Sequence, residues 1–98
     1  MKHSVQHALE PARARDVLGR ALETYRQDYK EYDVTASWLD DERAAVGFSM
    51  PGGQIEGTIT ICSHCYDIDL ELPLMLKPFS NRIAGVVDQE LQRWIDRA

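Results

Sequence analysis

The sequence predicts an α+β fold: a two-layer sandwich in the order α-β-β-β-β-α, with a four-stranded antiparallel meander and both helices on one face. Three observations predict it. Apolar residues recur at every third or fourth position in residues 10–30 and 80–97, and at every second position between 33 and 72; these are the periods of helix and strand. The strands can be paired so that every apolar side chain falls on one face. The chain has 98 residues, 44% hydrophobic and 28% charged, which suits one globular core and one domain over 1–98.

Residues 1–9 are expected to form an N-terminal arm or a short edge strand. Pro11 fits the first turn of a helix, where its missing N–H costs nothing. Ala14, Val17, Leu18, Ala21, Leu22 and Tyr25 then build an apolar stripe over residues 10–30. Arg13, Asp16, Arg20, Glu23 and Gln27 on the other side are mixed in sign and read as a solvated face. Tyr25, Tyr29 and Tyr32 extend the stripe and read as the edge of the core before a ligand cage.

Val34, Ala36 and Trp38 alternate with Thr35 and Ser37 as a first strand, and Asp40-Asp41-Glu42 turns the chain,. Ala44, Val46, Phe48 and Met50 are the inward set of a second strand, and Pro51-Gly52-Gly53 supplies a reversal,. Ile55, Gly57, Ile59 and Ile61 line a third. Tyr66, Ile68, Leu70 and Leu72 line a fourth, with Asp67, Asp69 and Glu71 on its other face. Opposed residues of an antiparallel pair share a face, and a slip of one residue would bury the acids. Phe48 opposite Ile55 also sets Val46 opposite Gly57 and Met50 opposite Gly53. Ile59 opposite Ile68 also sets Ile61 opposite Tyr66 and Cys62 opposite Cys65.

Residues 73–79 form an apolar bridge, and Ser80 is a plausible N-cap for a helix over 80–97 that buries Ile83, Val87, Leu91, Trp94 and Ile95,. Leu74, Met75, Leu76 and Phe79 are too many apolar side chains for a polar surface loop. They pack beneath the last helix or form an exposed patch for self-association, a partner or an apolar surface.

Several function classes are excluded or disfavoured. A formal charge of −5 and a pI near 5.0 oppose attraction to nucleic acid or anionic membranes,. The first ten residues lack the apolar run of a secretory signal, and no segment reaches the ~20 apolar residues of a membrane span, so a cytoplasmic product is expected. No Ser/His/Asp set, phosphate-cradling Gly loop or His-x-x-x-His pair points to catalysis, and the chain is not expected to be an enzyme. The carboxylates Glu56, Asp67, Asp69 and Glu71 lie on an open face that does not raise pKa values as acid–base work requires.

Cys62-Ser63-His64-Cys65 can be read three ways. The cysteines are plain turn residues, half of a tetrahedral zinc site, or a redox disulfide. Zinc needs further ligands, for which the only candidates weighed are His3, His7 and His64. A thioredoxin-type role wants a helix N-terminus to lower a thiol pKa, whereas this pair sits in a β-turn near Asp67. The reading as turn residues is therefore favoured, with no cofactor expected and zinc the alternative.

The order helix, four strands, apolar bridge, helix, with Leu70-Glu71-Leu72-Pro73-Leu74-Met75-Leu76-Lys77-Pro78-Phe79 before Ile83, resembles the small bacterial family of polyhydroxyalkanoic acid system proteins. His7-Ala8-Leu9 followed by Ala12-Arg13, Trp38 ahead of an acidic turn, and Gly57-x-Ile59 are similar to that family too. Cys62 and Cys65 do not belong to the pattern. The resemblance implies a storage-polyester context and carries over no catalytic residue. The expectation is a non-enzymatic accessory protein that docks through Leu74, Met75, Leu76 and Phe79 onto a storage granule or a granule protein, with a homodimer as a further outcome of such a patch. A second reading is a groove lined by Trp38, Phe48, Tyr66 and Trp94 that holds a fatty-acid-like molecule. A third is a metal or redox sensor at Cys62 and Cys65.

Overall fold

The computed structural model describes residues 1–98. Its elements run β1 (Lys2–Gln6), α1 (Pro11–Asp28), a 3-10 turn (Lys30–Tyr32), β2 (Thr35–Trp38), β3 (Arg43–Met50), β4 (Gly53–Ile61), β5 (Cys65–Glu71), a second 3-10 turn (Leu74–Phe79) and α2 (Ser80–Arg97). The α+β class, the antiparallel sheet and the two helices are as expected. The sheet, however, has five strands, in the order β1-β5-β4-β3-β2.

The added strand is the N-terminal segment, which pairs antiparallel with β5 from Lys2 opposite Asp69 to Gln6 opposite Cys65. Lys-His-Ser-Val-Gln contains one apolar residue, too few to show a period of two. That one residue, Val5, is 1% exposed. Ser4 on the other face donates its hydroxyl to Asp67 Oδ1 at 2.9 Å. The edge strand thus uses one outer acid of β5, Asp67, in its own pairing.

The two hairpin registers stand as read. Phe48 lies opposite Ile55 and Val46 opposite Gly57, while Ile59 lies opposite Ile68 and Ile61 opposite Tyr66. Between β2 and β3, Asp40 Oδ1 accepts the backbone N–H groups of Glu42 and Arg43 at 2.9 and 2.8 Å. Those N–H bonds, the Glu42 one first, and the Arg43 guanidinium hold its carboxyl below the usual range,. Gly57 is fixed by close approach, because a Cβ there would lie 2.8 Å from the Cα of Leu70 and clash with Asp69,. Pro51 and Gly52 form the two-residue turn between β3 and β4, with Gly52 at φ +105. Such a φ suits glycine after proline in a type II turn.

One core cluster joins Val5, Ile55, Ile59, Ile61, Tyr66, Ile68 and Leu70 of the sheet with Ala14 and Leu18 of α1 and Leu91 of α2. Tyr66 is fully buried, and its hydroxyl donates to the Ala14 carbonyl at 2.7 Å, tying β5 to α1. Pro11 occupies the start of α1 as expected. Ser80 does not cap α2. It is already helical, and its N–H donates to Lys77, because the 3-10 turn runs straight into the helix and leaves no extended capping residue,. No helix is long and apolar enough to cross a membrane.

Candidate functional site

The connection from β5 to α2 carries the most exposed apolar side chains. Pro73 and Pro78 have fixed φ and no amide donor, so this segment can neither extend β5 nor begin α2 early, and it coils as a 3-10 turn,. The Leu76 N–H donates to the Pro73 carbonyl at 2.9 Å. Leu76 is 8% exposed and part of the core, while Leu74 is 80%, Met75 73% and Phe79 49% exposed. The four bridge residues therefore divide: three point outward and Leu76 anchors them. A side chain at Gly52 would come within 3.3 Å of Leu76 Cδ2, so the β3–β4 turn seats the anchor from the other side. Leu76 is thus corrected from a contact residue to a structural one, since a 3-10 turn sends neighbouring side chains in different directions.

A cavity of about 310 Å³ lies where α1, α2 and the sheet meet, walled by residues that include Leu22, Phe48, Ile68, Leu70 and Val87. Tyr25 and Glu90 are paired at its wall. Tyr25 donates its hydroxyl to Glu90 Oε2 at 3.0 Å. Burial, and next that bond to a carboxylate, push the Tyr25 hydroxyl far above its ordinary pKa, so it stays a donor,. Tyr29, Tyr32 and Val86 also border the cavity and are exposed, forming its rim.

Of the aromatic residues expected to line this groove, Phe48 does so. Trp38 lies beneath the Arg15 guanidinium, 4.2 Å from ring centre to Cζ. Trp94 stands edge-on to Tyr25 with ring centres 6.5 Å apart. Tyr66 is sealed in the core, where desolvation raises its pKa to about 12,. The cavity residues outside the expected groove include Leu22, Ile68, Leu70, Val86, Val87 and Glu90. The tyrosine stripe was the available signal, and Tyr25, Tyr29 and Tyr32 all reach the cavity. The outer sheet face offers a wider, polar depression bordered by Thr35, Glu56, Thr58, Asp69 and Glu71.

Cys62 and Cys65 are joined by a disulfide, with Cα atoms 5.1 Å apart. The reading as plain turn residues is corrected on this point. Opposed positions flanking a tight turn fall within the Cα separation that a disulfide bridges. The bond engages the two sulfurs that zinc would require as thiolates. Asp67 lies beside the bonded pair, with a carboxylate oxygen and the two sulfurs within 4.8 Å of one another. None of the three histidines joins this group. His3 Nε2 is 2.7 Å from Asp88 Oδ2, and His64 is exposed. His7 is buried, its ring centre 4.7 Å from that of Tyr66, and its backbone N–H donates to the His64 carbonyl at 2.8 Å.

Residues 2–95 match the family model described as polyhydroxyalkanoic acid system protein. No curated protein and no solved structure matches the chain.

Proposed function

The chain belongs to the polyhydroxyalkanoic acid system protein family, and from that premise we propose that it is a non-enzymatic, cytoplasmic accessory protein of polyester storage that docks onto the granule surface through Leu74, Met75 and Phe79. The observation that carries this reading is the exposure of Leu74 and Met75, 80% and 73%, on a turn fixed between two prolines. Leucine and methionine held outward gain when they are moved from water to an apolar surface, about 1.5–3 kcal/mol for each side chain fully buried. The turn presents them already ordered, so docking costs little conformational entropy. A polyester granule is such a surface, and the family name supplies the context.

Cosedimentation with polyester particles tests the reading. The double variant Leu74→Ser/Met75→Ser is expected to keep its thermal midpoint and to lose about tenfold or more of its partition onto particles, since two partly buried side chains at those energies exceed one decade. An unchanged partition would refute granule docking through this patch. A concentration-dependent dimer abolished by the same substitutions would instead assign the patch to self-association.

A further inference from the structure

We propose that the cavity between α1, α2 and the sheet binds a single unbranched alkyl chain, with the chain's polar end left outside at the rim formed by Tyr29, Tyr32 and Val86. The wall chemistry selects this guest. Leu22, Phe48, Ile68, Leu70 and Val87 offer hydrocarbon only. The Tyr25 hydroxyl is committed to Glu90 at 3.0 Å, and Glu90 Oε1 in turn faces the Arg93 guanidinium at 3.5 Å. A guest that brought an amide or hydroxyl inside would leave water for walls that, apart from the Tyr25–Glu90 pair, offer it no partner,. A carboxylate would also meet Glu90 in a chain of net charge −5,.

Size narrows the choice further. About 310 Å³ is at the lower end of the roughly 300–1,000 Å³ typical of small-molecule sites, enough for one chain and too little for a helix or loop of a protein partner. The rim suits the end of such a guest, because tyrosine rings present an apolar body and a polar tip at a water boundary. This site is separate from the Leu74, Met75 and Phe79 patch, so it does not depend on granule docking. A free single-chain amphiphile and the pendant groups of a polyester both carry the required alkyl chain.

Titrating the 98-residue chain with straight-chain primary alkanols, from hexanol to tetradecanol, tests the proposal by calorimetry. Affinity is expected to rise about fourfold with each methylene and then to level once the cavity is filled. Val87→Phe, which pushes a ring into the cavity, is expected to weaken decanol binding at least tenfold. Val86→Trp at the exposed rim is the second blocking variant, chosen because an exposed position leaves the core intact, and it is expected to weaken binding several-fold. Leu74→Ser/Met75→Ser should bind decanol as the unsubstituted protein does. Competition with a soluble oligomer of hydroxydecanoic acid separates the sources: displacement of decanol assigns the chain to polyester, and retention assigns it to a free amphiphile. Absence of saturable binding at every length, affinity that climbs with no length limit, or equal binding by both blocked variants overturns the proposal.

Discussion

The two ends of the β4–β5 hairpin are built on opposite plans. At the Cys62–Cys65 end the chain is closed by bonds between elements. A disulfide spans the turn, the His7 ring rests 4.7 Å from Tyr66, the His7 N–H reaches the His64 carbonyl at 2.8 Å, and the Tyr66 hydroxyl reaches Ala14 at 2.7 Å. At the Pro51–Gly52 end the bridge turns one leucine inward and leaves Leu74, Met75 and Phe79 outside. A small domain has little apolar area to spare for its core. Side chains left out at one end, while the other end is sealed by polar and covalent links, are available for contact and contribute little to holding the fold.

Adjacent bridge residues can break that contrast most directly. Leu76→Ala removes a core side chain and is expected to cost about 2–5 kcal/mol, read as a lower urea midpoint at unchanged slope. Leu74→Ala, two residues away and exposed, should stay within about 0.5 kcal/mol of the unsubstituted protein. Equal losses in the two variants would mean that the bridge is packed throughout, and the patch would vanish with the contrast.

At the closed end, Cys62→Ser opens a very short loop. The chain-entropy account gives about 2 kcal/mol for a loop of this length, so a loss of that size or less is expected in denaturant titration. Partition onto polyester particles should not change. If the variant kept its stability and lost particle binding, the functional end would have been assigned to the wrong side of the hairpin.

Most of the sheet was legible in the sequence because the acids of β5 leave one register that keeps them wet. Asp67, Asp69 and Glu71 alternate with Tyr66, Ile68 and Leu70, and only the observed pairing with β4 puts both sets where they belong. β1 was legible only as one of two alternatives, an arm or a short edge strand, and the second is what the sheet holds. Its pairing is set by backbone bonds to β5 and by one apolar side chain, Val5, so the signal lies in the partner. The bridge was legible as unusual, but the inward turn of Leu76 depends on where the Pro51–Gly52 turn sits, which is a tertiary fact. The cavity was half legible. Tyr25, Tyr29 and Tyr32 were legible as a stripe but read as the edge of the core before a ligand cage, whereas Glu90 looks like any acid at the border of α2's apolar face until Tyr25 is placed beside it. Trp38 and Trp94 were attractive by size alone, and size does not say which side of a crowded helix a ring will occupy.

The smallest expected effect sharpens the account of the closed end. His7 Nδ1 accepts the Leu9 N–H at 3.0 Å, which puts the proton of the neutral ring on Nε2, a buried atom without a hydrogen-bond partner. Charging the ring requires a proton on Nδ1 and breaks the Leu9 bond. Burial dominates the electrostatics and lowers the pKa from its ordinary 6.5, the Cys65 backbone works in the opposite direction, and His64 adds to the lowering. With the folded pKa below the unfolded one, the unfolded chain binds more protons on acidification, and this stabilising contribution is lost as pH falls below the ordinary value and through the folded pKa. Thermal midpoints measured from about pH 8 down to about pH 5 should therefore decline more steeply for the unsubstituted protein than for His7→Phe, which keeps a ring against Tyr66 and cannot charge. Particle binding measured over the same interval should follow the folded fraction alone. Identical slopes would place the acid sensitivity elsewhere.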